Sequence, residues 1–124
     1  MQKGGFIAIT TVLLISAVVL ATAVSAALLG IGQAQSSFAQ TKGETTLNFV
    51  EGCTEDALLK LRASSFYTGG TITRPEGSCL VTVSGVSSVY TLTVTTTASD
   101  YKRTIQAIVT KGSAGLTLGS WKEN

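Results

Sequence analysis

The sequence predicts an α+β protein, with one long N-terminal helix and an antiparallel β-meander packed on the C-terminal half of that helix. Three observations predict it. Residues Phe6 to Ile31 contain no charged side chain. Val50, Thr54, Ala57, Leu58 and Leu61 recur at spacings of three and four, the period of one helix face. From Tyr67 onward, short runs alternate apolar and polar residues between Gly, Ser, Pro and Asp. Together they divide the chain into a short leader (1–5), an apolar half-helix (6–31), an amphipathic half-helix (32–65) and a sheet (66–124).

The first element is the uncharged run FIAITTVLLISAVVLATAVSAALLGI. A helix rises about 1.5 Å per residue, so this one spans roughly 39 Å and exceeds a hydrocarbon core of about 30 Å. Lys3 is the only charged residue before it, and the next is Lys42. Positive charge is retained on the cytoplasmic side of a membrane, which places the N-terminus inside and the remainder outside.

From Gly32 the composition turns polar, and the helix is expected to continue to about Ser64. Its apolar face is the Val50–Leu61 stripe, with Cys53 on or beside it, while Glu51, Glu55, Asp56, Lys60 and Arg62 mostly point away. Asp56 and Lys60 are spaced as a favourable i,i+4 pair. Gly30, Gly32, Gly43 and Gly52 each cost about 1 kcal/mol relative to Ala. They mark either bends or close packing against neighbouring helices.

The strands are expected at Thr71–Arg74, Cys79–Ser84, Ser88–Thr97, Tyr101–Lys111 and Leu116–Trp121. Cys79, Val81 and Val83 share a face, as do Tyr90, Leu92 and Val94, and Ile105, Ala107 and Val109. Leu116 and Leu118 are read as the inward residues of the last strand. Gly69-Gly70 reads as a turn. Short connections imply antiparallel neighbours. The sheet and the helix each carry one apolar face, and packing them together buries both.

The chain has two cysteines, Cys53 and Cys79, and no histidine. A structural zinc site takes four Cys or His ligands, so no metal site is expected. An even pair in an exported chain is most simply a disulfide, contributing roughly 3–4 kcal/mol in the chain-entropy model. Without histidine, neither a Ser-His-Asp nor a Cys-His arrangement can form. Glu44, Glu51, Glu55 and Asp56 read as a solvated helix face, and no glycine-rich loop precedes a helix as a phosphate cradle would. No catalytic residue and no cofactor is expected. A net charge of +2 from nine basic and seven acidic residues provides no field to hold nucleic acid.

The segment Gly4-Gly5-Phe6-Ile7-Ala8-Ile9-Thr10 is a polar leader ending in Gly before Phe and a long apolar helix. It resembles the class III signal of type IV pilins and type II secretion pseudopilins. That resemblance implies cleavage by a prepilin peptidase after Gly5 and N-methylation of the new terminus, Phe6. It also implies the pilin fold, a long N-terminal helix with an antiparallel sheet on its C-terminal half. Typical family members carry glutamate at the fifth mature position, where this chain has Thr10. A missing glutamate resembles certain minor pilins, and the run Thr10-Thr11-Val12-Leu13-Leu14 is similar to theirs. The implied role is structural: a minor pilin, suited to a tip or initiating position. Its assembly surface is the Phe6, Thr10, Leu13 and Leu14 helix. Its partners are other pilin subunits, the prepilin peptidase, the inner-membrane assembly platform and, before assembly, lipid. The implied location is the cytoplasmic membrane, then an extracellular filament. External contacts would fall on loops such as Gly69–Ser78 and Ser99–Lys102.

Two other readings fit the residues. Ala23-Val24-Ser25-Ala26 is patterned as a signal peptidase I site, and cleavage there would release a secreted β domain beginning at Ala27. The apolar run continues past that point through Ala27-Leu28-Leu29, however, and is longer than the usual h-region. Without any cleavage, the chain would be a single-pass anchored surface protein.

Overall fold

The computed structural model describes residues 3–96 and 100–124. Helix α1 runs Lys3–Ala63. Five strands follow: β1 (Gly69–Arg74), β2 (Gly77–Val86), β3 (Val89–Thr96), β4 (Thr104–Gly112) and β5 (Gly115–Glu123). They form one sheet in the order β1-β2-β3-β4-β5, every neighbouring pair antiparallel. This is the expected α+β architecture. The chain divides into two units, Met1–Gln40 and Thr41–Asn124. The amphipathic part of the helix belongs with the sheet from Thr41 onward, because that is where its side chains begin to be covered.

In the second unit, Val50, Cys53 and Ala57 of α1 form one core with Ile72, Cys79, Val81, Leu92, Val94, Ile105 and Ala107 of the sheet. Leu61 is also fully buried, and Leu58 packs partly against the core. Each large aliphatic side chain removed from water here contributes roughly 1.5–3 kcal/mol. Gly43 and Thr46 extend the buried stripe toward the N-terminus. Thr54, buried among these, donates its hydroxyl to the Val50 carbonyl at 2.8 Å, so its polar atom costs little. Cys53 and Cys79 form the expected disulfide between α1 and β2, with a Cα–Cα distance of 6.4 Å. Asp56 and Lys60 form the expected ion pair at 3.2 Å.

The helix continues through its interior glycines. At Gly43 and Gly52 the absent side chains leave room for arginines from the sheet unit. A Cβ at Gly43 would sit 3.5 Å from the Arg103 guanidinium, and one at Gly52 would sit 3.7 Å from that of Arg74.

Several boundaries differ from expectation, each for a physical reason. Gly69-Gly70 is the start of β1 and pairs with Thr82 and Val81. Gly69 has φ 105°, and a Cβ there would collide with the Val81 carbonyl, so only glycine fits so close to β2. The expected loop Gly69–Ser78 is therefore an edge hairpin, turning at Pro75-Glu76. Strand β4 begins at Thr104 instead of Tyr101. Ahead of it, Arg103 exchanges hydrogen bonds with Thr96: its amide donates to Thr96 Oγ1 at 3.1 Å and its carbonyl accepts from the Thr96 amide at 3.1 Å. The expected end of the third strand at Thr97, and Ser99 of the expected contact loop Ser99–Lys102, lie outside the described residues.

Strand β5 carries an irregularity. Its register against β4 shifts between Ile108 and Val109, where Ile108 pairs with Ser120 and Val109 with Leu118, leaving Gly119 as an extra residue. Strict alternation from Leu116 and Leu118 would turn Trp121 away from the helix. The bulge brings Trp121 opposite Ala107, where it packs against the core. Leu116 and Leu118 align with the inward residues Lys111 and Val109, as expected, and Leu118 is still 52 % exposed because β5 is an edge strand.

The opposite face of the sheet is lined largely by threonines. The register aligns Thr71, Leu80, Thr95 and Thr104 in one row across the strands, and Thr82, Thr93, Gln106 and Lys122 in the next. Ser84, Thr91, Ile108 and Ser120 form a third row, and Val86, Val89, Thr110 and Thr117 a fourth.

Candidate functional site: the apolar helix segment

The first unit contains the apolar part of α1. Every large aliphatic side chain from Ile7 to Ile31 is more than half exposed, and Phe6 is 74 % exposed. The segment is long and apolar enough to cross a membrane by length and composition. Apolar residues occur on all sides of the helix here, the pattern expected of a segment that meets lipid or other apolar helices around its whole circumference.

Its few polar side chains are satisfied within the helix. The hydroxyls of Thr10, Thr11, Ser16 and Ser25 donate to the carbonyls of Phe6, Ile7, Val12 and Ala21, each at 2.8 Å, and Thr22 donates to Val19 at 2.9 Å. In hydrocarbon an unpaired hydroxyl would cost several kcal/mol; here each returns its proton to the backbone. Thr10 is thus engaged with its own helix.

Gly4 and Gly5 lie at the start of α1, which is helical from Lys3. A Cβ at either position would meet no atom within 4 Å. Neither has a φ in the left-handed region. The fold therefore gives no steric or conformational requirement for glycine at either position.

The sequence-predicted site residues Gly5, Phe6, Thr10, Leu13 and Leu14 fall on one short stretch of the first unit, while Cys53 and Cys79 meet in the core of the second. In the second unit a cleft of about 140 Å³ lies among Lys42, Thr46, Phe49, Glu76, Ser78 and Thr96. Small-molecule sites usually measure roughly 300–1,000 Å³. A shallower groove by the C-terminal end of α1 is floored by Leu58, Leu59 and Leu116, with Glu55 and Arg62 at its rim. The described residues contain no group of three or more His, Cys, Asp or Glu that could hold a metal ion.

The sequence reading missed Lys111. Its ammonium donates to the carbonyls of Leu61 (3.2 Å) and Arg62 (3.4 Å) and to Ser65 Oγ (2.7 Å), closing the C-terminal end of α1. A cation is favoured there by the helix dipole and by the unpaired carbonyls of the last turn. The only sequence signal was a lysine at an inward position of β4, two residues beyond Val109.

No protein-family model, curated protein or solved structure matches this chain.

Proposed function

We propose that this chain is a structural subunit of a type IV pilus or a related type II secretion-like filament, and that it acts as a minor pilin. The observation that carries the reading is an apolar helix left uncovered by its own chain, preceded by two glycines for which the fold has no use. A peptidase that reads the residue before the cut would account for Gly5, and cleavage there frees the amine of Phe6 for methylation. The same apolar surface then faces lipid before assembly and neighbouring helices after it. Transfer between these surroundings costs little hydrophobic energy, since both are apolar. The sheet unit remains outside the membrane, with the N-terminus on the cytoplasmic side.

Thr10 sets the subunit's place in the filament. Threonine carries a neutral hydroxyl, here donated to the Phe6 carbonyl, so the chain offers no carboxylate at this position to the terminal amine of a neighbour. That suits a tip or initiating position.

Intact mass with N-terminal sequencing, on protein from membranes and from sheared filaments, is the deciding measurement. A chain beginning at Phe6 with one added methyl group is expected. A start at Ala27 would establish the secreted reading, and an untrimmed chain the simple membrane anchor. Gly5→Val should block maturation, and normal trimming of that variant would overturn the cleavage assignment. Thr10→Glu should raise incorporation along the shaft, and unchanged filament stoichiometry would count against the tip role.

A further inference from the structure

We propose that the outward face of the sheet is a self-pairing surface on which a second copy of this chain docks, sheet against sheet. The face is unusual in what it lacks. A solvated surface typically carries charge at about 25–35 % of its positions, yet in the four rows of this one Lys122, on the edge strand β5, is the sole charged residue. Three other cations of the strands and their flanks lie elsewhere: Arg74 against Gly52, Arg103 against Gly43 and Lys111 at the end of α1. Four apolar side chains are exposed on the face instead: Leu80 (44 %), Val86 (85 %), Val89 (45 %) and Ile108 (38 %).

Its hydroxyls are also partly prepared for loss of water. Thr95 and Thr104 share a hydrogen bond across β3 and β4 at 3.0 Å, and Thr82 donates to the Thr93 carbonyl at 3.4 Å. A hydroxyl already partnered within its own sheet gives up less when a neighbour excludes solvent. The β-branched side chains on the face have few rotamers to lose on packing.

The dimensions suit a copy of the same face. Each of the four outward rows crosses four strands; at about 4.8 Å between strands and roughly 6.7 Å between rows they describe a plane of order 500 Å². Two such faces bury about 1,000 Å², the least that a specific contact requires and well below an obligate dimer. A single pair should therefore be weak and concentration-dependent. Many copies held in an array would pair by avidity, which in a filament means lateral association of filaments. A flat neutral glycan is the less suitable partner: Tyr90 and Trp121 both align with inward residues, Val109 and Ala107, so neither offers a ring to stack on sugar. The pairing itself does not depend on trimming at Phe6.

Position-specific cross-linking of the full chain in phospholipid vesicles tests this, because apolar helices can associate by themselves and size alone would mislead. Thr93→Cys lies at the centre of the face, Leu59→Cys on the exposed side of α1, and the native cysteines are already bonded. With a short bis-maleimide, Thr93→Cys should yield cross-linked dimer at least tenfold above Leu59→Cys. Adding Ile108→Glu should abolish that excess, with circular dichroism confirming the fold; Thr110→Glu, more peripheral on the face, replaces it should Ile108→Glu unfold. Equal yields at the two cysteines, or an excess that survives the glutamate, would overturn the proposal. So would a monomeric chain retained on neutral polysaccharide and released by the same glutamate substitution. The mass of the mature chain is read separately, so failure here and failure of the filament reading are distinguishable.

Discussion

Two parts of the same helix solve opposite problems. From Phe6 to Ile31, α1 is apolar on every side and has nothing of its own chain over it. From Gly43 to Leu61 it is apolar along one stripe only, and the sheet covers that stripe completely at Val50, Cys53, Ala57 and Leu61. Helical geometry is common to both; the distribution of apolar side chains around it differs. A segment built for an apolar surrounding has no need of a polar face, whereas one that meets water on one side must confine its apolar atoms to the other. The first part satisfies its hydroxyls against its own backbone. The second uses a covalent bond and a lysine cap to hold its partner sheet.

The comparison can be broken experimentally. The largest effect is expected at the bridge: Cys53→Ser should destabilise the sheet unit by about 3–4 kcal/mol, through loss of the loop constraint. An unchanged melting temperature, with free thiols titrated in the unaltered protein, would remove the disulfide from the account. Next, Leu61→Ala should cost about 2–5 kcal/mol, because the side chain is fully buried. The same change at Leu20, 66 % exposed in the apolar segment, should shift the melt by less than about 0.5 kcal/mol. Comparable losses at the two leucines, in parallel denaturation series, would show that the two parts of α1 do not differ as described. A smaller loss of about 1 kcal/mol is expected for Lys111→Met, which keeps the stem and removes the cation from the end of α1; amide exchange should rise at the last turn of the helix. Smallest is a gain. Ser87, in the β2–β3 turn, has φ 63°, a region in which glycine carries no Cβ penalty. Ser87→Gly should raise the melting midpoint, by roughly 0.5–1 kcal/mol.

Much of this architecture was legible in the residues because it rests on short-range periodicity. The stripe through Val50, Thr54, Ala57 and Leu61 repeats at the period of a helix turn, and Cys79, Val81 and Val83 alternate as a strand must. Such patterns reflect which side of an element meets water, and they survive in any order of assembly. The cysteine pair was readable because the chain offers no other partner for either sulfur. The candidate site was legible only as chemistry: an uncharged run, two glycines and a phenylalanine. The glycine-gated start of the strands was misread as a turn, since Gly69-Gly70 gives the same local signal whether it ends one element or begins another.

What the sequence determined by itself was thus the class of each segment: a helix long enough to span hydrocarbon, an amphipathic continuation, and five alternating strands. Tertiary structure alone decided how those segments met. It chose the bulge at Gly119 that returns Trp121 to the core, the reach of Lys111 across to Leu61, and the arginines that lie against Gly43 and Gly52. It also sorted the charges, leaving one whole sheet face almost without them. The physical reason is separation along the chain. Periodicity encodes burial one turn or one pleat at a time, whereas a lysine 50 residues from the carbonyl it caps leaves no local trace of that contact.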